Sequence, residues 1–71
     1  MAALASPYKA IADDTRRRIL DALRTESLTA GAIAGRFRRL SRPAVSKHLS
    51  ILRRSRLVSA KKQGRERVYS L

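Results

Sequence analysis

The stretch Leu40-Ser-Arg-Pro-Ala-Val-Ser-Lys-His-Leu-Ser-Ile-Leu-Arg53 decides the reading of this 71-residue chain. Its first residues carry helix-start signals: the Ser41 hydroxyl can accept from a free backbone N–H, and Pro43 falls in the first turn, where a missing N–H costs nothing. A helix is therefore predicted from Arg42. At about 100° per residue, Val45, Leu49 and Leu52 share one face, with Ala44, His48 and Ile51 along its edge. That face belongs to a core. Opposite it lie Pro43, Ser46, Lys47, Ser50 and Arg54, flanked by Arg42 and Arg53, a surface of hydroxyls and cations with no large apolar group. A solvated surface helix would also carry a charged face, but the neighbouring segments favour a polar, anionic partner.

Upstream, Thr29 can cap a helix whose Ala30, Ile33, Ala34 and Phe37 form one apolar stripe. Gly31 and Gly35 each weaken it by about 1 kcal/mol relative to alanine, so close helix contact is expected there. The stretch Arg38-Arg-Leu-Ser41 is long enough for a turn and too short for a crossover. Two helices so joined, the second with a polar outer face, make a helix-turn-helix. Nearer the start, Ser6-Pro7-Tyr8 opens a short helix through Ala12. Asp13 and Asp14 then stand at the positive end of a second helix, Thr15 to Arg24, with Ile19, Ala22 and Leu23 on its apolar face. As neighbours in sequence these two carboxylates diverge, which suits capping better than acid–base catalysis. Beyond Ser55 the period falls to two. Val58, Ala60 and Lys62 alternate with Ser59, Lys61 and Gln63, Gly64-Arg65 offers a turn, and Arg67, Tyr69 and Leu71 alternate again. The basic tip of this hairpin, Lys61 to Arg67, suits a phosphate backbone or a minor groove, an ordinary solvated tip being the alternative.

Seventeen Lys and Arg against five Asp and Glu give a formal charge of +12, which points to a polyanion. The charge is lopsided: residues 1–35 hold five basic and four acidic side chains, residues 36–71 twelve basic and one acidic. The polyanion site therefore belongs to the second half. With no cysteine and one histidine, disulfides, thiolate metal sites and cysteine nucleophiles are excluded, and no metal or cofactor is expected. An enzyme is not expected either, since there is no glycine-rich phosphate loop and no carboxylate pair set across a pocket. No apolar run approaches a membrane span and the N-terminus lacks signal-peptide features, so a soluble, cytoplasmic protein without membrane contact is expected. A lipid-surface module would want bulky apolar residues facing the bilayer. Among binding modules, a basic RNA-binding unit or a protein-assembly module is the alternative. Single-stranded RNA recognition needs exposed aromatics, and the chain has only Tyr8, Phe37 and Tyr69, two of them expected to be buried.

Four stretches in this order, Tyr8 to Leu20, Ser41 to Leu49, Leu52 to Val58 and Gly64 to Tyr69, resemble the ArsR-like (ArsR/SmtB-type) winged helix-turn-helix transcriptional repressors of prokaryotes. The resemblance runs over nearly the whole chain from Tyr8 onward. It implies a mainly α fold with a small β-hairpin, in the order α-α-α-turn-α-β-β, as one domain over residues 1–71, with the helix-turn-helix at about 30–55 and the wing at about 57–71. It implies a homodimer on an inverted-repeat operator in double-stranded DNA, the helix from Arg42 in the major groove. Arg42, Pro43, Ser46 and Lys47 fall on the family's base-reading face, with Ser50 and Arg54 further along it. Thr15, Arg16, Lys62, Arg65 and Arg67 are candidate backbone contacts, support of the helix cap being the alternative for Thr15, and His48 stands where the family also carries histidine; its place at the edge of the core suits a structural or phosphate-contacting group better than a ligand or base. Departures are equally legible. Thr29 and Gly31 occupy positions where metal-sensing relatives carry cysteine, Arg56 replaces a usual glycine, and the turn to Ser41 is one residue longer than the compact form. The family's C-terminal dimer helix has no counterpart before Leu71, so a weak or DNA-assisted dimer is expected through Leu4, Tyr8 and Ile11.

Overall fold

A computed structural model describes residues 6–71; Leu4 lies outside them. Helix α1 (Pro7–Ala12) opens on the Ser6 hydroxyl, which accepts from the Lys9 N–H at 3.5 Å. Asp13, in extended backbone, ends α1 and starts α2 (Asp14–Ala22), its Oδ1 accepting from the Arg16 N–H at 3.0 Å. Two arginines of α2 close over the carbonyl end of α1: Arg17 Nη1 donates to the Ile11 carbonyl at 2.7 Å and Arg16 Nη2 to that of Lys9 at 3.4 Å. They supply donors that a helix C-terminus otherwise lacks.

The helix-turn-helix follows as α3 (Ala30–Arg36) and α4 (Arg42–Arg54). Thr29 Oγ1 accepts from the Ala32 N–H at 3.0 Å and Ser41 Oγ from the Ala44 N–H at 3.2 Å, so both helices start at the caps read from the sequence. Between them, the Leu40 N–H returns to the Phe37 carbonyl at 2.9 Å and tightens the turn. Gly31 and Gly35 do not serve close helix contact, contrary to the expectation. A methyl group at Gly35 would meet nothing within 4 Å, and at Gly31 it would meet the Arg42 guanidinium at 3.6 Å, an ordinary contact.

Three antiparallel strands, β1 (Leu28–Thr29), β2 (Ser59–Gln63) and β3 (Glu66–Ser70), lie in the order β1-β3-β2. The hairpin was legible; β1 was not, because two residues carry no period. Leu28 pairs with Tyr69 and Thr29 with Val68, which fastens the wing to the cap of α3. Gly64 has φ +62 at the first of two loop positions, the place where a type II′ hairpin turn demands glycine. Leu71 does not continue the inward row with Tyr69 as its spacing predicts; it lies past the strand and is 58% exposed.

The core is where these elements meet. Ile19, Ile33, Val45, Leu49 and Leu52 are fully buried, and Ala10, Leu23, Leu28, Val58 and Tyr69 complete it. On α4 the predicted inward residues are buried and the predicted edge residues, Ala44, His48 and Ile51, are half-buried. Helix α4 ends in a paired-carbonyl cap: the Arg56 N–H donates to the Arg53 carbonyl at 2.9 Å and the Leu57 N–H to that of Leu52 at 3.0 Å. Arg56 sits at the left-handed position, φ 61, where the resemblance expected a glycine.

Candidate nucleic-acid interface

Because the inward face of α4 is consumed by the core, its other face has nowhere to go but solvent. Arg42, Pro43, Ser46, Lys47, Ser50, Arg53 and Arg54 are all exposed. Pro43 and the Ser41 cap set the first turn, so Arg42 and the free N–H groups of that turn lie at the electropositive end of the helix.

The wing is brought to the same end. Register pairs Ala60 with Tyr69 and Lys62 with Arg67, so Arg67 shares the sheet face of the buried Tyr69. Arg65, Arg67 and Arg42 line one concavity of about 250 Å³, whose remaining wall includes Thr29 and Gly31 at the start of α3 and the wing carboxylate Glu66, which pairs with none of the three. Lys62 and Arg67 stand directly opposite each other, a destabilising like-charge pair in the isolated protein. An anion between them would remove that repulsion.

Internal partners do not satisfy these cations. The ion pairs among the described residues are Arg17–Asp14, Arg18–Asp14, Arg24–Asp21 and Arg36–Glu26, all away from the outer face of α4 and from the wing. Among those residues, none of Arg42, Lys47, Arg53, Arg54, Lys62, Arg65 and Arg67 has a carboxylate within salt-bridge distance. Clustered cations without counter-charges are the arrangement that releases condensed counterions when it meets a phosphate backbone.

The α2 candidates are placed differently. Arg16 is half-buried, reaches the carbonyl of Lys9, and its Nε is buried without a hydrogen-bond partner. Thr15 is half-buried at the edge of a second concavity, beside Arg38 and Arg39 of the turn between α3 and α4. Sequence reasoning passed over those two arginines because a turn has no periodic face to flag them. His48 is half-buried at the edge of the core, its Nδ1 enclosed and without a partner. The Asp13 carboxyl is held below the usual carboxylate range, first by the hydrogen bond from the Arg16 N–H and then by the nearby charges of His48 and Arg16. Asp13 thus links the corner between α1 and α2 to the flank of α4.

Known proteins share this sequence pattern and fold. A family described as a helix-turn-helix domain matches residues 11–59. The transcriptional repressor SdpR of Bacillus subtilis strain 168 is 45% identical over 64 residues, covering 90% of this chain and 70% of that protein. Reduced HlyU from Vibrio cholerae N16961 superimposes with a TM-score of 0.83 at 38% identity, over 90% of this chain and 66% of HlyU. A crystal structure of an ArsR family transcriptional regulator gives a TM-score of 0.84 at 33% identity, over 90% of this chain and 69% of that one. The chain spans about two thirds of the length of these relatives. With both sequence and fold matching, the chain belongs to the ArsR family of winged helix-turn-helix DNA-binding transcriptional regulators.

Proposed function

We propose that the chain is a sequence-specific repressor that binds an inverted-repeat operator as a homodimer, α4 in the major groove and the wing on the backbone or in the minor groove. The observation that carries this reading is the outer face of α4, exposed, cationic at its start and, among the described residues, without ion-pair partners, next to a predominantly basic wing. Arg42, Pro43, Ser46 and Lys47 face base edges, with Ser50 and Arg54 further along the groove; Lys62, Arg65 and Arg67 hold phosphates. Thr15 and Arg16 are assigned to the backbone at the edge of the footprint. Tyr69 is buried and Phe37 half-buried, which leaves the cationic face without the stacking platform that single-stranded RNA would need. We take residues 1–71 to act as one DNA-binding domain in the cytoplasm, without catalytic activity; among the described residues no helix is long and apolar enough to cross a membrane.

An arginine that meets guanine through two hydrogen bonds discriminates by about 1–3 kcal/mol. Arg42→Ala is expected to reduce the preference for a selected operator over a scrambled duplex by about tenfold or more, measured by competition binding. A folded variant that keeps its full preference removes Arg42 from base recognition.

A further inference from the structure

We propose that the concavity between the start of α2 and the turn joining α3 to α4 is a second seat for the DNA backbone, where Arg38 and Arg39 neutralise phosphates of the strand opposite the wing. The proposal rests on the DNA-binding reading above and extends its footprint. The concavity measures about 610 Å³ and is lined by Thr15 and Arg18 of α2, Arg36 of α3 and the turn residues Phe37 to Leu40. Phe37 and Leu40 are half-buried against the core and form its apolar floor.

Its four guanidinium groups divide into two kinds. Arg18 is paired with Asp14 at 3.0 Å and Arg36 with Glu26 at 2.7 Å, so both already have a carboxylate partner. Arg38 and Arg39 are exposed and, among the described residues, make neither an ion pair nor a side-chain hydrogen bond. They add adjacent positive charge to a tight turn that the Leu40-to-Phe37 hydrogen bond forms without them.

Position supplies the partner. Leu40 lines this concavity, and Arg42, two residues on, lines the concavity shared with the wing, so the start of α4 lies between the two. The major groove of B-form DNA is about 12 Å wide, and a helix start seated in it has one phosphate strand on each side. The wing takes one strand; the turn, with the Thr15 hydroxyl beside it, faces the other.

The test uses duplexes selected from a random pool by the wild-type chain, in a trimmed form and in a form extended by several base pairs at each end. Arg38→Ala/Arg39→Ala is compared with Arg38→Gln/Arg39→Gln, which keeps more of the side-chain stem if alanine disturbs the turn. Both are expected to flatten the slope of log affinity against log salt by about two units per bound protomer, about one per lost phosphate contact. They should also lose the affinity gained from the extended ends while keeping the preference for selected over scrambled DNA. An unchanged slope and an unchanged gain from the ends, with the fold intact by circular dichroism, would overturn the proposal. So would loss of sequence preference, which would make the pair base readers. A wild-type chain that selects no duplex defeats the DNA-binding reading itself, a result separate from either.

Discussion

At the left-handed position that closes α4, Arg56 has φ 61 although only glycine adopts that geometry without a Cβ penalty. Two backbone hydrogen bonds over-determine it, from Arg56 and Leu57 to the carbonyls of Arg53 and Leu52. The penalty in an L-residue is about 1–2 kcal/mol, part of which glycine returns through its freer unfolded chain. Arg56→Gly is therefore expected to stabilise the domain by about 1 kcal/mol, read as a rise in Tm of about 4–8 °C for a domain this small. A lower Tm would mean that the arginine side chain contributes more than its backbone costs. At this scale the sequence was most legible where a single period governs: Val45, Leu49 and Leu52 are buried and Lys47 and Arg42 exposed, as the spacing of α4 predicts. It was least legible for Arg16. The resemblance offers it only as a DNA-backbone contact, yet Arg16 and Arg17 reach back to carbonyls of α1, a partner defined only once the two helices fold against each other.

Between elements, the corner from α1 to α2 depends on one titratable group. Asp13 caps α2, and its carboxyl is depressed by the Arg16 N–H and by the charges of His48 and Arg16. A depressed folded-state value means that the unfolded chain binds the proton more tightly. This contribution is present in full above the ordinary carboxylate range and is lost as pH falls through the lower folded-state value. An asparagine in its place would still cap the helix without titrating, so Asp13→Asn is expected to flatten the acid limb of stability against pH. Urea melts of both proteins from about pH 6 down to about pH 2 read the difference; parallel curves would show that Asp13 gains nothing from its charge. The element missed from sequence, β1, belongs to the same lesson. Leu28 and Thr29 form a strand only because β3 offers them Tyr69 and Val68, and no local pattern in two residues announces such a partner.

For the molecule as a whole, the charge division read from the sequence becomes a division of surfaces. The acidic side chains of the first half are spent on ion pairs along and just beyond α2, on the bridge from Glu26 to Arg36 and on the Asp13 cap, while among the described residues the cations of α4 and the wing have no ion-pair partner. Tyr8 is 83% exposed and Ile11 38% exposed, three residues apart on α1. The domain extends 32 Å in its longest direction, and recognition helices on successive major grooves sit about 34 Å apart. Two copies on adjacent half-sites are thus within reach of each other, and burial of Tyr8 and Ile11 would supply a driving force for the homodimer proposed above. Tyr8→Glu/Ile11→Glu is expected to leave affinity for a single half-site nearly unchanged. On an inverted repeat it should abolish the steep, cooperative filling of the second half-site. Sedimentation of wild type at several concentrations, with and without the repeat, supplies the stoichiometry: a dimer that strengthens on DNA is expected. A strictly 1:1 complex at saturating protein would make the chain a half-site binder.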